Sequence, residues 1–444
     1  MIAVLGAGES GVGSALLAKQ KGYDVFVSDS GRVKDHFQNE LVSAGLEWEQ
    51  GEHNEEKILS ANLLIKSPGI PETKLVAKAR AKGIEVLSEI EFASRFSEGR
   101  IIAITGTNGK TTTKQIVANL LNSQGSCHQT IGNKNNQIGV PYSLLTLGNN
   151  HDYSVIEMGT SEPGEIKKLN TLVKPDIAAI TNVSIGHLDG LRDTESIATE
   201  KGNILNFWKD DGTAILPRDS NFYEYWSNET NAKQIISFGI HDDSDFKVSS
   251  IKIDVLNNLT HFRLRFDGKE ENFSINGIGK HNPLNAALAI AVSILCGVET
   301  KSIKNNLINT QLPERRLDVY KSLKGSILID DSYNSNPASL RNALDSIDEL
   351  KRKKLCILGE MKELGPTSQK LHQEMYEYAS ERVDKILCIG KEWSGCDTSD
   401  DLLIFKDHDA LYDHLVSIID NETILLVKGS RSTRMDKIAD KLKK

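Results

Sequence analysis

The run Ile101-Ile102-Ala103-Ile104-Thr105-Gly106-Thr107-Asn108-Gly109-Lys110-Thr111-Thr112-Thr113 constrains the fold more than any other part of this 444-residue chain. A short apolar run with strand character ends in a glycine-rich turn, and Ile116, Val117, Leu120 and Leu121 then recur at helical spacing. A strand feeding a helix through such a turn leaves backbone N–H groups unpaired at the helix start, where the helix dipole favours an anion. Lys110 adds a point charge, and the Thr111 hydroxyl is placed to reach a magnesium ion. The loop departs from a complete Walker A pattern, because Ile104 stands where its first glycine would be. The segment predicts a nucleoside triphosphate site on an α/β sheet.

Composition bounds the remainder. Hydrophobic residues make up 39% and charged residues 26%, as in an ordinary globular chain of about three domains. A net charge of −8 gives no general affinity for a nucleic-acid backbone or an anionic membrane. The five cysteines (127, 296, 356, 388 and 396) are odd in number and form no C-x-x-C pair, which predicts free thiols in a reducing cytoplasm. The opening Met-Ile-Ala-Val-Leu is too short for a secretory core, and no run reaches membrane-span length. A soluble cytoplasmic chain is expected, without nucleic-acid partner or membrane span.

Strand and helix signals alternate through residues 1–98: Ile2–Leu5, a helix over Val12–Lys21, Asp24–Ser28, and Leu63–Lys66 after an acidic helix. That order implies a doubly wound parallel sheet. Gly6, Gly8, Gly11 and Gly13 crowd its first turn and Asp29 ends the second strand, a pattern that suits a dinucleotide, another phosphate-bearing ligand, or a tight turn alone. Residues 99–312 hold the phosphate loop, strands at Tyr153–Glu157 and Asp176–Asn182, and a period-two stretch between Phe246 and Phe273 with Asn257-Asn258 and Asp267-Gly268 turns. Asn282-Pro283 is expected to cap a helix through Leu295. Residues 313–444 return to α/β, with strands at Ile327–Ile329, Leu355–Leu358, Ile386–Ile389 and Ile424–Val427. The fold class is therefore α/β in three domains. A Rossmann-like N-terminal domain (1–98) is followed by a P-loop-type central ATPase domain with a small antiparallel insertion (99–312) and a Rossmann-like C-terminal domain (313–444).

Several polar residues follow strands. Glu157 can hold magnesium directly or through water. His187 follows a strand too, where a lone histidine is commonly structural, and Lys201 lies in a polar helical stretch where a surface place is the ordinary reading. Asn285, Arg316, Asp331 and Asn334 fall at boundaries or strand ends, where a nucleotide between domains would be touched. Lys428-Gly429-Ser430-Arg431 could bind a carboxylate or phosphate.

Together these segments resemble the Mur ligases, the ATP-dependent amide-forming enzymes of peptidoglycan precursor synthesis. Thr-Gly-Thr-Asn-Gly-Lys-Thr-Thr resembles the family's phosphate loop. Residues 101–444 are similar to the branch that adds D-alanyl-D-alanine to a UDP-muramoyl tripeptide. The likeness is carried by Gly132-Asn133, Asn135–Pro141, Pro163–Ile166, Asp330–Pro337, Leu358–Gly365 and Lys428–Ser432. Residues 1–98 instead resemble the N-terminal domain of the D-glutamate-adding branch, through Gly6–Gly11, Ser28-Asp29, Lys66–Pro71 and Ser88–Glu91. The resemblance implies that Gly106, Thr107, Asn108, Gly109, Lys110, Thr111, Thr112, Asn182, Asn285, Arg316 and Asp331 bind ATP. It implies that Thr111, Glu157 and His187 hold Mg2+, with Lys201 supporting a second ion as a carbamate, and that Lys110, Glu157, His187 and Lys201 form the catalytic set. Ser10, Gly11, Asp29, Ser30, Ser67, Pro68 and Gly69 would meet the uridine nucleotide, and Asn334, Ser430 and Arg431 the incoming amino component. The implied partners are a UDP-N-acetylmuramoyl peptide and an amino acid or dipeptide, and a monomer is expected. D-glutamate addition to UDP-N-acetylmuramoyl-L-alanine is the alternative reaction. A non-catalytic nucleotide-binding module and an NAD-dependent oxidoreductase are alternatives of other classes.

Overall fold

In the computed structural model, residues 1–67, 70–94, 99–147, 150–184, 191, 193–207, 209–396 and 402–443 are described. The chain divides into two compact units, Met1–Gly99 with Pro141–Asn150, and Arg100–Val140 with His151–Lys444.

The first unit carries a five-stranded parallel sheet of β1 (Ile2–Leu5), β2 (Val25–Asp29), β3 (Glu47–Gln50), β4 (Leu63–Lys66) and β5 (Glu85–Ser88), in the order β3-β2-β1-β4-β5. β1 lies at the centre and is buried along its length, so its alternate residues enter different cores. Ile2 and Val4 join Val12, Ala15 and Val27 on one face, and Ala3 and Leu5 join Ile58, Leu64 and Val76 on the other. The first helix begins three residues earlier than its apolar spacing suggests, at Glu9, because Gly8 rather than an apolar residue ends the turn.

The second unit contains two sheets. Nine strands form the first: β6 (Arg100–Thr105), β7 (Cys127–Gln129), β8 (Tyr153–Glu157), β9 (Ile177–Ile180), β10 (Thr213–Pro217), β11 (Gln234–Gly239), β12 (Phe246–Asp254), β13 (Leu259–Phe266) and β14 (Lys269–Asn276). They lie in the order β14-β13-β12-β11-β10-β9-β6-β8-β7. The expected antiparallel insertion is present as β12–β14, and β12 pairs parallel with β11, so it extends the central sheet. Positive φ at Asp267 (48°) and Gly268 (68°) matches a tight primed hairpin turn. The second sheet is β15 (Asp318–Lys321), β16 (Ile327–Asp331), β17 (Lys353–Gly359), β18 (Lys385–Ile389), β19 (Leu402–Phe405) and β20 (Thr423–Lys428), in the order β15-β16-β20-β17-β18-β19 with only β15 antiparallel.

The helix Asn282–Leu295 packs into the central core through its alanine-rich face. Its N-cap is His281, a correction to the expectation that Asn282 caps it: Asn282 is already helical, and its Nδ2 donates to the Ile278 carbonyl at 2.8 Å. Ile104 also has a structural explanation. It is 0% exposed in the middle of β6's neighbours, and its carbonyl accepts from Met158 N at 2.8 Å. The loop lacks its first glycine because the strand still fills the core at that point. Ile104→Gly is therefore expected to cost about 4 kcal/mol of stability through a cavity and a flexible strand residue. Denaturant unfolding would show the loss, with no gain in ADP affinity.

Candidate functional site

A cavity of about 430 Å3 opens in the second unit where β6, β8, β9, β16 and β20 end, on the carboxyl edge where α/β sheets place ligands. It is lined by the loop Thr107–Thr112, by Glu157, Asn182, Asn285 and Arg316, and by Asp331 to Asn336 with Lys428.

The loop's shape depends on two glycines. Gly106 has φ +150°, and a Cβ there would stand 1.9 Å from Thr181 Oγ1. Gly109 has φ +81°, and its Cβ would stand 2.4 Å from Asn285 Oδ1. Between them the Asn108 peptide is clamped. Its N–H donates to Asn182 Oδ1 at 3.0 Å, and its carbonyl accepts from Thr181 Oγ1 at 2.6 Å and Asn182 Nδ2 at 3.0 Å. The Asn108 side chain pairs with Asn336, whose Nδ2 donates to Asn108 Oδ1 at 3.0 Å. Asn336 also caps the helix Pro337–Ile347, so one amide joins the loop to the last sheet's first helix.

Lys110 folds back onto its own loop, donating to the carbonyls of Gly106 (2.7 Å) and Thr107 (3.1 Å). Burial pushes its ammonium below the usual lysine range, Glu157 opposes that shift, and Arg316 adds to it. Glu157 is 1% exposed. Its Oε1 accepts from Asn135 Nδ2 at 2.7 Å and Thr111 Oγ1 at 3.2 Å. Arg316 reaches Thr111 Oγ1 at 3.4 Å and stacks on Tyr333, 4.4 Å from the ring centre. Arg316 Nε and Asn285 Nδ2 are buried and have no hydrogen-bond partner among the described residues. Unpartnered donors facing a cavity are what a polar ligand satisfies.

The structure brings Thr107 to Thr112, Glu157, Asn182, Asn285, Arg316, Asp331 and Asn334 to this cavity, and Gly106 shapes the loop behind it. Lys201 is 2% exposed and does not line the cavity. Burial pushes its ammonium far down, and Lys110 adds to the shift while Glu200 opposes it. The surface reading of Lys201 is therefore overturned: Glu200 holds the start of the helix Glu165–Val173 through Gly164 N and Ile166 N, both at 2.7 Å, and draws this turn inward. Ser430 is buried, with its Oγ between Ser335 O and Lys362 N. Arg431 is 61% exposed, pairs with Asp436 and lies outside the cavity lining. His187, Pro68 and Gly69 lie outside the described residues.

Three residues escaped sequence reasoning. Lys114 is 2% exposed; it donates to Thr130 O (2.7 Å) and Gly132 O (2.6 Å) and lies 3.6 Å from Glu157 Oε2. A signal existed, because Lys114 shares the apolar helix face with Val117, Ala118 and Leu121. Asn336 gave only a capping pattern. His281 lines the cavity, and burial, with Lys428 and Arg316 adding, pushes its imidazole down to about 4.

The first unit gathers polar groups of its own at the ends of β1, β2, β4 and β5. Asp29 Oδ2 accepts from Ala7 N and Oδ1 from Gly31 N, both at 2.7 Å. Glu89, 0% exposed, accepts from Ser10 Oγ at 3.0 Å and from Ser67 Oγ. Burial pushes its carboxyl up against those hydrogen bonds. A Cβ on Gly11 would meet Gly6 O at 1.9 Å, which fixes glycine there, while Ser30 is exposed.

Comparison with known proteins gives three family matches. These are Mur ligase MurD-like, N-terminal domain over residues 1–88, Mur ligase middle domain over 104–293, and Mur ligase, glutamate ligase domain over 315–431. The UDP-N-acetylmuramoyl-tripeptide--D-alanyl-D-alanine ligase of Buchnera aphidicola is 34% identical over 358 residues, spanning 78% of this chain and 77% of that protein. The chain belongs to the Mur ligase family. The UDP-N-acetylmuramoylalanine--D-glutamate ligase of Christiangramia forsetii is 33% identical over 394 residues, spanning 88% and 84%. Among solved structures, MurF from Acinetobacter baumannii shares the fold at a TM-score of 0.74, with 24% identity over 99% of this chain and 93% of that one. MurF from Thermotoga maritima, in complex with ADP, gives 0.72 and 21% over 94% of each. Mur ligases use ATP, and this chain is an ATP-dependent ligase of peptidoglycan precursor synthesis. No helix among the described residues is long and apolar enough to cross a membrane.

Two outcomes follow for this Mur ligase. Gly106→Ala forces a methyl into Thr181 Oγ1 and is expected to abolish ADP binding, measured by calorimetric titration. His281 is expected to titrate near 4 by NMR instead of near 6.5. Its imidazole is neutral when folded and would protonate first in the unfolded chain, so stability falls as pH drops from about 6.5 toward 4. His281→Leu should flatten that part of the stability profile.

Proposed function

We propose that this Mur ligase joins D-alanyl-D-alanine to the terminal carboxylate of a UDP-N-acetylmuramoyl tripeptide, as a cytoplasmic monomer. Domains 1–98, 99–312 and 313–444 are assigned to the UDP substrate, to ATP and to the amino component. The observation that carries the chemistry is the cavity, where Lys110, Glu157, Asn285, Arg316 and Asp331 converge around a glycine loop. The choice of dipeptide is supported by relatives of that named activity in Buchnera aphidicola, Escherichia coli and Bacillus subtilis.

In the proposed reaction a carboxylate oxygen of the peptide attacks the γ-phosphorus of ATP, and ADP leaves. The acyl phosphate formed has a good leaving group where the carboxylate had none. The dipeptide's amine then attacks the acyl carbon, loses a proton, and inorganic phosphate departs with its C–O bond. Lys110 leaves its own loop carbonyls to meet the phosphates, and the clamped Asn108 peptide keeps the loop's N–H groups pointed at them. Arg316, stacked on Tyr333, supplies a fixed positive charge beside them. Asn334, on the cavity wall, is assigned to the approach of the amine, with Ser430 buried behind it and Arg431 on the surface. Hard oxygen donors at Thr111 and Glu157, 3.2 Å apart, fit Mg2+ completed by water and phosphate oxygens, and His187 is assigned with them. When bound, Mg2+ would neutralise charge on the phosphoryl oxygens. Burial pushes the Lys201 ammonium far down, which favours the neutral amine that carbamate formation requires. In the first unit, Ser10, Gly11, Asp29, Ser30, Ser67, Pro68 and Gly69 are assigned to the uridine nucleotide.

D-glutamate addition is the second reading, favoured by the MurD-like match of residues 1–88 and the 88% span of the Christiangramia relative. Phosphate release from ATP, measured with UDP-muramoyl-L-alanine or UDP-muramoyl tripeptide crossed with D-glutamate or D-alanyl-D-alanine, decides between them. Release is expected only with the tripeptide and the dipeptide together. Release with D-glutamate alone would overturn the assignment, and ATP binding without turnover in any pair would favour a binding module. Lys110→Ala should lower turnover by about 1,000-fold or more, since charge stabilisation of the moving phosphoryl group is lost.

A further inference from the structure

Lys428 ends β20 and is 2% exposed. β16 and β20 are parallel neighbours with Asp331 opposite Lys428, so the two side chains leave the sheet on one face. Lys428 Nζ donates to Asp331 Oδ2 at 2.5 Å and to the Asn334 carbonyl at 2.9 Å. Two residues further on, Ser430 Oγ donates to the Ser335 carbonyl at 3.2 Å. The last strand is thus stitched to the whole turn that follows β16. An ammonium in a Lys-Gly-Ser-Arg segment reads as an anion-binding group, yet this one is committed inside the protein.

We propose that Lys428 is a positioning residue that keeps Asp331 ionised as a hydrogen-bond acceptor for the nucleotide and fixes the Asn334-Ser335 turn against it. One buried cation thereby braces the nucleotide side of the cavity and the segment assigned to the amino component. The inference rests on the reading of Asp331 as a nucleotide contact. The charges around Asp331 support it. Burial pushes its carboxyl up, Lys428 and then Arg316 hold it down, and neighbouring Asp330 pushes it up again. Asp318, opposite Asp330 across the β15–β16 pair, is itself pushed up to about 6 by burial, with Asp330 and Asp331 adding, while His281 stays neutral beside Lys428. Without Lys428, only Arg316 would oppose burial and the like charge of Asp330. Asp331 would then hold a proton to higher pH and offer the nucleotide a neutral carboxyl in place of a carboxylate, a weaker acceptor.

Calorimetric ADP titrations of the full chain between pH 6.5 and 9 test this with Lys428→Met and Lys428→Gln. At pH 7 both variants are expected to bind ADP about tenfold more weakly than wild type and to recover toward it by pH 9, as Asp331 ionises. Wild type should show no such rise. The KM for the UDP-muramoyl tripeptide should not move, and the KM for D-alanyl-D-alanine should increase. Lys428→Gln is the variant to use if the methionine form does not fold. A loss of ADP affinity that is independent of pH, or no loss, would overturn the proposal. The ADP arm needs no acceptor substrate. Absence of phosphate release in the wild type would therefore overturn the ligase reading alone, and absence of ADP binding by the wild type would overturn both.

Discussion

The geometry of the nucleotide cavity depends on how one peptide unit is held. Thr181 and Asn182, at the end of β9, grip both the N–H and the carbonyl of Asn108, leaving the loop no room to relax. That grip is available only because Gly106 lets the chain pass within methyl distance of Thr181, and because Gly109 does the same beside Asn285. Remove either glycine and the anion-binding N–H groups point elsewhere. The loop is thus shaped from outside, by the end of one strand and the starts of two helices that contact it, more than by its own sequence.

The electrostatics of the cavity are lopsided in a way that suits its ligand. Lys110, Lys114 and Arg316 surround one buried carboxylate, Glu157, while Asp331 is matched by Lys428. Holding several cations out of water is costly unless an anion joins them. A triphosphate and a carboxylate together supply that charge, which links substrate binding to the stability of the site. Lys114 reduces the cost in the unliganded protein by binding two backbone carbonyls.

Much of this was legible in the sequence. Strand–turn–helix periodicity located the phosphate loop, the primed turn at Asp267-Gly268 located the antiparallel extension, and acidic or amide residues just past strands marked Glu157, Asn182 and Asp331. What stayed hidden depends on partners far along the chain. Lys114's ammonium finds its partners only when Thr130 and Gly132 are folded against it, and Lys428 reads as an anion-binding group until β16 lies beside β20. Lys201 is drawn inside because Glu200 caps a helix more than thirty residues earlier. Apart from the apolar helix face that Lys114 shares, these charged side chains carry no local sign of burial, since it is tertiary pairing that permits it.

The separation of the cores has an evolutionary reading. Among the described residues, the two clusters that bury β1 and its neighbours are drawn wholly from positions 1–92, and those of the other two sheets from beyond position 100. Genetic exchange at a join near position 99 would carry these clusters over intact and would part only Pro141–Asn150 from the unit it belongs to. The MurD-like match covers residues 1–88, so a first domain exchanged there would bring its own sheet packing and need refitting only against residues 141–150.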